Sequence, residues 1–193
     1  MYRARLETPG GYYHVGTRGN SKAPIYLTDD DRLNFVRLLA VVARRHGWSV
    51  HAYCLMTNHY HLILQLERGG LSRGMCELNG RYALGFNDRH GRSNHVFGRR
   101  FWDEPIENDG HYFEACRYVV LNPVRAGVER QVDRWPWSSY RATVGLDLPP
   151  AFLVVGDVLR RFGTTPEAAR DAYIRHVSEG LVQRQPPDGP AST

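Results

Sequence analysis

Two histidines separated by one residue, His59 and His61, are the first candidates for chemistry in this 193-residue chain. They begin the segment HYHLILQL, residues 59–66, whose alternating and β-branched apolar residues predict a β-strand. Side chains at positions i and i+2 of a strand share one face within about 7 Å, so their ring nitrogens could hold one divalent cation. A pair of purely structural histidines is the alternative that this motif alone leaves open.

A tyrosine and an asparagine, Tyr118 and Asn122, form the second candidate pair. Apolar residues recur at helical spacing over 109–122, so these two side chains project from one helical face, one turn apart. The tyrosine could attack a phosphate and the carboxamide oxygen could supply a third metal ligand. Because a tyrosine hydroxyl is mostly neutral at pH 7, this chemistry needs a nearby cation or base. The alternative is that Tyr118, one of 11 tyrosines, only packs in the core.

The elements that must position these residues alternate between strands and helices. The patterns predict a strand at 12–17, a helix from Asp29–Asp31 to about 46, strands at 48–56 and 59–66, a helix at 71–87, a strand at 96–102 and a helix at 109–122. Pro123 is expected to end the last helix at Asn122, because proline disfavours helical geometry in the residue before it.

This order of elements predicts the fold class. Strands joined by both hairpins and helices indicate an α+β fold, a ferredoxin-like antiparallel sheet with helices on one face. The all-apolar face of the strand at 59–66 is expected to meet those helices, while His59 and His61 point to the other side.

A proline-rich joint at Leu148-Pro149-Pro150 divides the chain. Residues 1–147 are expected to form the main domain. Residues 148–182 are expected to form a small helical extension, with helices near 151–162 and 166–179, and residues 183–193 a disordered tail. The sequence leaves open whether the extension packs on the domain or mediates assembly.

The charge of the chain is positive and unevenly distributed. It has 25 Lys or Arg, of which 24 are Arg, against 20 Asp or Glu, a net charge of +5. Residues 68–100 contain seven arginines and two acidic residues, whereas residues 146–193 have a balance of −1. Arginines bind phosphate, and interleaved aromatic residues such as Tyr82 and Phe86 could stack on single-stranded bases. Codon bias towards arginine and a solvated helix face are the alternatives.

The composition also excludes several classes of protein. No apolar run approaches the roughly 18 residues that a membrane span needs. The first seven residues lack the apolar core of a secretory signal, and the three cysteines, Cys54, Cys76 and Cys116, are odd in number and far apart. We therefore expect a reduced, cytoplasmic protein with no membrane partner.

Six stretches of the sequence match a known family when taken together. They are YHVGTRGN (13–20), HAYCLMTNHYHLIL (51–64), LNGRYALGFNDRHGR (78–92), FGRRF (97–101), RYVVLNPVRAG (117–127) and WPWSSYRA (135–142). Across about residues 12–142 the chain resembles the single-tyrosine HUH transposases and, within them, the REP-associated tyrosine transposase group. The combination of NHYHL with RYVVLNPVRAG is far more specific than either motif alone.

The resemblance implies an activity and assigns residues to it. His59 and His61 correspond to the family's metal-binding His-hydrophobic-His motif, with Tyr60 as an aromatic middle residue. Tyr118 corresponds to the nucleophile and Asn122 to the third metal ligand. The family cleaves single-stranded DNA with Mg²⁺ or Mn²⁺ bound, forms a 5′-phosphotyrosine and can rejoin strands by a second transesterification. The implied partner is single-stranded DNA with hairpin-forming, REP-like palindromic repeats, and the implied location is the nucleoid.

Four arginines inside the matching stretches are predicted to contact phosphates, namely Arg18, Arg99, Arg100 and Arg125. A solvated charge is the alternative for Arg125. Both a monomer and a homodimer are compatible with the sequence.

Two other functions remain open at this level. One is a domesticated protein of the same fold that binds hairpin DNA or RNA without cleaving it. The other is a metal-dependent phosphodiesterase that uses water as its nucleophile. The joint presence of His59, His61, Tyr118 and Asn122 favours the transposase, because a binding protein would be free to lose any of them.

Overall fold

The computed structural model describes residues 7–182, so the tail predicted at 183–193 and residues 1–6 lie outside the described part. The elements are β1 (Tyr12–Arg18), α1 (Asp29–His46), β2 (Trp48–Leu55), β3 (His59–Leu66), α2 (Leu71–His90), β4 (Trp102–Ile106), α3 (Asp109–Arg125), α4 (Tyr140–Thr143), α5 (Val155–Arg160) and α6 (Pro166–Val182). The four strands form one antiparallel sheet in the order β2-β3-β1-β4. This is the predicted ferredoxin-like α+β fold.

One face of the sheet carries the main hydrophobic core. The apolar residues of β3 on this face are buried with residues of α1 and α2, as the sequence predicted: Tyr60, Leu62, Leu64, Leu66, Phe35, Leu39, Met75 and Leu78. A capping box begins α1, since the Thr28 hydroxyl accepts from the Asp31 amide and the Asp31 carboxylate accepts from the Thr28 amide. Gly47, at a φ of 64°, ends it in the left-handed conformation.

The opposite face of the sheet packs on α3. Apolar residues from β2, β3 and α3 form a second cluster there: Ala52, Cys54, Ile63, Tyr112, Cys116 and Val119. The prediction of helices on one face is therefore right for α1 and α2, while α3 covers the face that carries His59 and His61. That face contains both apolar and polar residues. Its apolar part packs against α3, and its polar part remains available for a polar site.

The fourth strand lies later in the chain than predicted. The expected range was 96–102, whereas β4 comprises Trp102–Ile106. β4 lies at the edge of the sheet beside β1, where polar residues and Pro105, which has no amide hydrogen to donate, are tolerated. Its sequence WDEPI therefore lacks the pattern of a buried strand. The residues before β4 join the sheet through an isolated bridge between Gly19 and Phe97.

The helix α3 continues past its predicted end. It was expected to stop at Asn122 but extends to Arg125, with Pro123 inside its last turn. The proline removes one intrahelical hydrogen bond, but the helical bonding resumes at the Ala126 amide, which donates to the Asn122 carbonyl at 2.9 Å. Tyr118, Asn122 and Arg125 consequently lie at positions i, i+4 and i+7 of one helical face.

The predicted extension, 148–182, packs directly against α3. Residues of α3 form a third apolar cluster with α4, α5 and α6, namely Val120, Leu121, Tyr140, Val158, Leu159, Ala169, Tyr173 and Val177. The helices approach closely at Gly180 of α6, where a Cβ atom would stand 2.7 Å from Arg117 Cδ of α3. Neither α6 nor any other helix within residues 7–182 is long and apolar enough to cross a membrane.

A buried carboxylate joins the start of α1 to the end of α2. Asp31 is fully buried, and it accepts hydrogen bonds from four groups: the His90 ring, the Arg89 guanidinium and the amides of Leu27 and Thr28. Burial alone would raise the pKa of Asp31, but these hydrogen bonds lower it to about 2. The ionised group therefore stabilises the fold above pH of about 4, its unfolded pKa, and this contribution is lost as the pH falls through about 2.

We expect Asp31→Asn to lower the free energy of unfolding by about 3 kcal/mol at pH 7, because it removes the buried charge that accepts hydrogen bonds from the Arg89 guanidinium, the His90 ring and two amides. The loss should shrink as the pH approaches 2. Urea denaturation at pH 7 and pH 3 measures both effects. Asp29→Asn is the control, since Asp29 is exposed and its pair with Arg32 should contribute less than about 1 kcal/mol. Equal losses in the two variants would contradict this account.

Candidate active site

Three histidines share the face of the sheet that meets α3. The pairing of β1 with β3 sets Gly16 opposite His61 and Arg18 opposite His59. Alternation along β1 then places His14 on the same face as these two histidines. His14 Nε2 and His61 Nδ1 are 3.1 Å apart, and both rings are buried. A buried imidazole pair therefore forms one wall of the candidate site.

Both rings of this pair are neutral at pH 7. Burial lowers the pKa of His14 to about 3. Burial, followed by repulsion from the neighbouring His14 and His59 imidazoles and from Arg18, lowers the pKa of His61 well below its usual range. Across the 3.1 Å contact one neutral ring must donate to the other. When His61 donates its Nδ1 hydrogen, its Nε2 is an acceptor, which is the tautomer that a metal ligand needs.

Hydrogen bonds also determine which ring nitrogen of His59 is the acceptor. His59 Nδ1 lies 2.7 Å from Asn58 Oδ1, and Asn58 Nδ2 donates to the Lys22 carbonyl, which fixes the orientation of that amide. His59 therefore donates from Nδ1 and presents Nε2 as an acceptor. The ring centroids of His59 and His61 are 5.0 Å apart with an interplanar angle of 87°. This spacing is compatible with two nitrogen ligands on one cation.

The half-buried Tyr118 lies beside the imidazole pair. Its ring contacts His61 edge-on at a centroid distance of 5.5 Å, and His14 at 5.8 Å. The guanidinium of Arg125 lies over the same ring, with its Cζ 5.5 Å from the centroid. Arg125 is itself held by the extension, because its Nη2 donates to the Gly180 carbonyl at 3.3 Å. The structure therefore places a positive charge against the ring of the proposed nucleophile.

Asn122 provides a buried carboxamide one helical turn after Tyr118. The residue is 8% exposed, and its Nδ2 position has no hydrogen-bond partner within residues 7–182. An unpartnered buried amide costs about 1–3 kcal/mol, and rotating the amide would bring its oxygen to this position as an acceptor. An orphaned carboxamide at this position fits the third metal ligand that the sequence predicts.

The donor set suits a divalent cation of intermediate softness. Two imidazole nitrogens favour metals softer than Mg²⁺, whereas an amide oxygen suits Mg²⁺ and Mn²⁺, so the set fits Mn²⁺ at least as well as Mg²⁺. Within residues 7–182 no three His, Cys, Asp or Glu side chains form a metal-binding group.

Three of the predicted phosphate-binding arginines gather at the His59 end of the sheet. Arg18 ends β1 opposite His59 and is exposed. The Gly98 amide donates to the Arg18 carbonyl at 3.1 Å, so Arg99 and Arg100 follow at the same end and are exposed. The fourth predicted arginine lies instead over the Tyr118 ring.

The aromatic residues of the basic segment 68–100 do not have the stacking role that the sequence predicted. Tyr82 and Phe86 are buried in the main core, so the prediction that they stack on bases is wrong. Their spacing of four residues places both on the face of α2 that packs in this core. Part of the positive charge is also compensated, because Arg89 pairs with the buried Asp31.

Sequence reasoning missed His14, which the structure places against His61. The alternation in YYHVGT put His14 and Gly16 on one face, but the register that brings them to His61 is a tertiary property. We expect His14→Phe to lower Mn²⁺ affinity about 10- to 100-fold, because it removes the acceptor that orients His61. Titration calorimetry with Mn²⁺ measures this effect.

Two variants serve as controls for the His14 prediction. His14→Gln keeps a polar acceptor and should retain more of the Mn²⁺ affinity than His14→Phe. His51→Phe removes another buried imidazole, one that bonds the Tyr112 hydroxyl away from this site, and should leave the affinity unchanged. Equal Mn²⁺ affinity in His14→Phe and the parent protein would show that His14 does not orient the ligand.

The sequence and the fold match known proteins. The family model described as Transposase IS200 like matches residues 8–119. The REP-associated tyrosine transposase of Escherichia coli (strain K12) is 29% identical over 151 residues, covering 77% of this chain and 87% of that protein. A relative from Haemophilus influenzae is 24% identical over 154 residues, covering 74% and 87%. A solved REP-associated tyrosine transposase bound to a REP hairpin has a TM-score of 0.63 and 25% identity, covering 80% of this chain and 90% of that one.

Proposed function

Because the chain belongs to the IS200-like transposase family, we propose that it cleaves and rejoins single-stranded DNA beside hairpins, with Tyr118 as the nucleophile. The contact of the Tyr118 ring with the neutral His14–His61 pair is the observation that carries this proposal. Transfer of a phosphoryl group to a tyrosine needs a phenolic oxygen and groups that bind the phosphate. It also needs a site in which other nucleophiles do not attack the phosphorus first. These requirements can be met at one surface between α3 and the sheet.

The proposed reaction exchanges one phosphoester bond for another. The Tyr118 phenol gives up its proton and its oxygen attacks the scissile phosphorus. The bond from phosphorus to the 3′ oxygen breaks, this oxygen leaves as a 3′ hydroxyl, and the 5′ phosphate remains on the tyrosine. A 3′ hydroxyl of another strand can attack this phosphotyrosine and restore the free phenol. No outside source of energy is needed, since each step forms one ester as it breaks another.

The chain's own residues divide the work of this reaction. His59, His61 and Asn122 would hold Mg²⁺ or Mn²⁺, which when bound would polarise the scissile phosphate. His14 keeps the His61 ring in the required tautomer. Arg125 holds its guanidinium over the Tyr118 ring, which places a positive charge beside the phosphate that the tyrosine would attack.

The proposed partner is a DNA hairpin with a single-stranded flank. A relative of this fold has been solved bound to a REP hairpin, which supports hairpin DNA as the partner here. The exposed arginines Arg18, Arg99 and Arg100 would contact the phosphates of the strand that enters at the His59 end of the sheet. Such contacts orient a strand without reading its sequence.

A covalent capture experiment tests the proposal. The protein is incubated with Mn²⁺ and hairpins whose single-stranded flanks are randomised, and protein-linked DNA is then isolated and sequenced. We expect a protein–DNA adduct through a 5′ phosphate and a released fragment with a 3′ hydroxyl that a polymerase can extend. Cleaved DNA without an adduct would indicate attack by water. Retention of DNA without cleavage would indicate a binding protein, and either result would overturn the proposal.

A further inference from the structure

Trp102, the first residue of β4, is a large aromatic side chain beside the candidate active site with much of its surface in solvent. It is 40% exposed. Its ring lies edge-on to the His14 ring at a centroid distance of 4.6 Å and contacts the His61 ring at 5.5 Å. Trp102 belongs to none of the three apolar clusters within residues 7–182. Core packing therefore does not account for its position.

The absence of a side chain at Gly16 makes this position possible. Gly16 pairs with Trp102 on one side and with His61 on the other, so the three residues form one row across β4, β1 and β3. Neighbouring strands are about 4.8 Å apart, which separates the outer two backbones by roughly 10 Å. The indole reaches His61 because it lies over Gly16, where a Cβ atom would be 2.7 Å from Trp102 Cζ2.

The indole is thus fixed on one side and open on the other. Its contacts with His14 and His61 define its orientation, and β4 anchors its backbone at the edge of the sheet. A rigid aromatic surface of this kind stacks on a nucleobase with little loss of side-chain entropy. Stacking of bases on aromatic residues is favourable for all four bases, because each has a π-face.

We propose that Trp102 is a stacking platform for one unpaired nucleobase that flanks the scissile phosphate. The inference rests on the proposed function, since it requires a single strand to cross the surface beside His61 and Tyr118. Both Trp102 and Tyr118 contact the His61 ring at a centroid distance of 5.5 Å. A base stacked on Trp102 would therefore fix which phosphate of the strand faces Tyr118. Trp102 is a positioning residue that sets the register of the strand.

Binding to two DNA forms tests this inference without cleavage. Every protein carries Tyr118→Phe, and fluorescence anisotropy compares a hairpin that has a single-stranded flank with the same hairpin lacking it. Trp102→Ala should weaken binding of the flanked hairpin roughly 5- to 100-fold and leave the bare hairpin unchanged. Trp102→Phe should restore most of the affinity, because it retains an aromatic face. Leu84→Ala, at an exposed residue of α2, should have no effect.

An abasic scan of the flank identifies the stacked base. At one position of the flank, removal of the base should weaken binding to the protein that retains Trp102. The same removal should not weaken binding to Trp102→Ala any further, which is the result expected when the side chain and the base contact each other directly. Full affinity of Trp102→Ala for the flanked hairpin would overturn the inference. So would equal losses in Trp102→Phe and Trp102→Ala when both variants melt at the parent temperature.

Two combinations of results separate the stacking role of Trp102 from the proposed cleavage by Tyr118. Adduct formation by the parent protein, with no effect of Trp102→Ala on binding, would reject only the stacking platform. Loss of binding in Trp102→Ala, with no adduct formed by the parent, would reject the proposed cleavage and leave Trp102 as a stacking platform for an unpaired base.

Discussion

Replacement of Tyr118 by phenylalanine is expected to abolish the covalent protein–DNA adduct and to slow strand cleavage by about 10⁴-fold or more. The phenylalanine ring can keep the edge contacts with His61 and His14 but has no oxygen to attack phosphorus. Losses of this size are typical when an enzyme loses its nucleophile. Hairpin affinity should stay within about twofold, because the phenol is not proposed as a binding contact. Denaturing gels and anisotropy measure the two quantities.

A second tyrosine on the same helix provides the matched control. Tyr112 of α3 is buried, and its hydroxyl lies 2.9 Å from His51 Nδ1. Tyr112→Phe therefore removes a hydrogen bond from α3 without touching the proposed nucleophile. It should lower stability by about 1 kcal/mol and preserve adduct formation. An adduct that survives Tyr118→Phe, or that Tyr112→Phe removes equally, would contradict the assignment.

Loss of the proposed metal ligands should have the second largest effect. His59→Ala and His61→Ala are each expected to lower the cleavage rate about 10³-fold at fixed Mn²⁺, because the phosphate loses its source of charge stabilisation. Chelation of divalent ions should abolish cleavage by the parent protein. Affinity for a hairpin without a single-stranded flank should remain largely intact in every case, because neither histidine is proposed to contact the DNA duplex. Initial rates over a range of Mn²⁺ concentrations and anisotropy measure these effects.

An exposed histidine outside the site controls for general loss of imidazole. His95→Ala should cleave at the parent rate, because His95 lies in the exposed segment before β4. Cleavage that continues in the presence of a chelator would show that no divalent cation takes part. His59→Ala with parent activity at every Mn²⁺ concentration would remove His59 from the ligand set.

Local patterns in the sequence predicted much of the fold. The alternation of residues over 59–66 predicted which side of β3 faces the main core. The acidic residues Asp29–Asp31 marked the start of α1, although the cap itself is Thr28. The family resemblance, which the match to the IS200-like model confirms, rested on six stretches, and the most specific combination joins a motif in β3 with one in α3. The structure brings the rings of His61 and Tyr118 from those two motifs into contact.

The features that escaped prediction depend on tertiary structure. The His14–His61 contact requires the register of β1 on β3, which no local pattern contains. The edge position of β4 tolerates a polar sequence, so the range 96–102 was wrong and Trp102 was not seen as part of the site. Packing on α6 supports α3 beyond Pro123, and this carries Arg125 onto the Tyr118 face.

Mass spectrometry of the trypsin-digested adduct tests the central claim most directly. Trypsin cuts after Arg117 and Arg125 and releases the peptide YVVLNPVR, residues 118–125, in which Tyr118 is the single tyrosine. After nuclease trimming of the DNA, this peptide is predicted to carry a nucleotide through its 5′ phosphate on the tyrosine oxygen. A nucleotide attached to any other peptide, or DNA cleavage with no nucleotide-bearing peptide, would contradict the account.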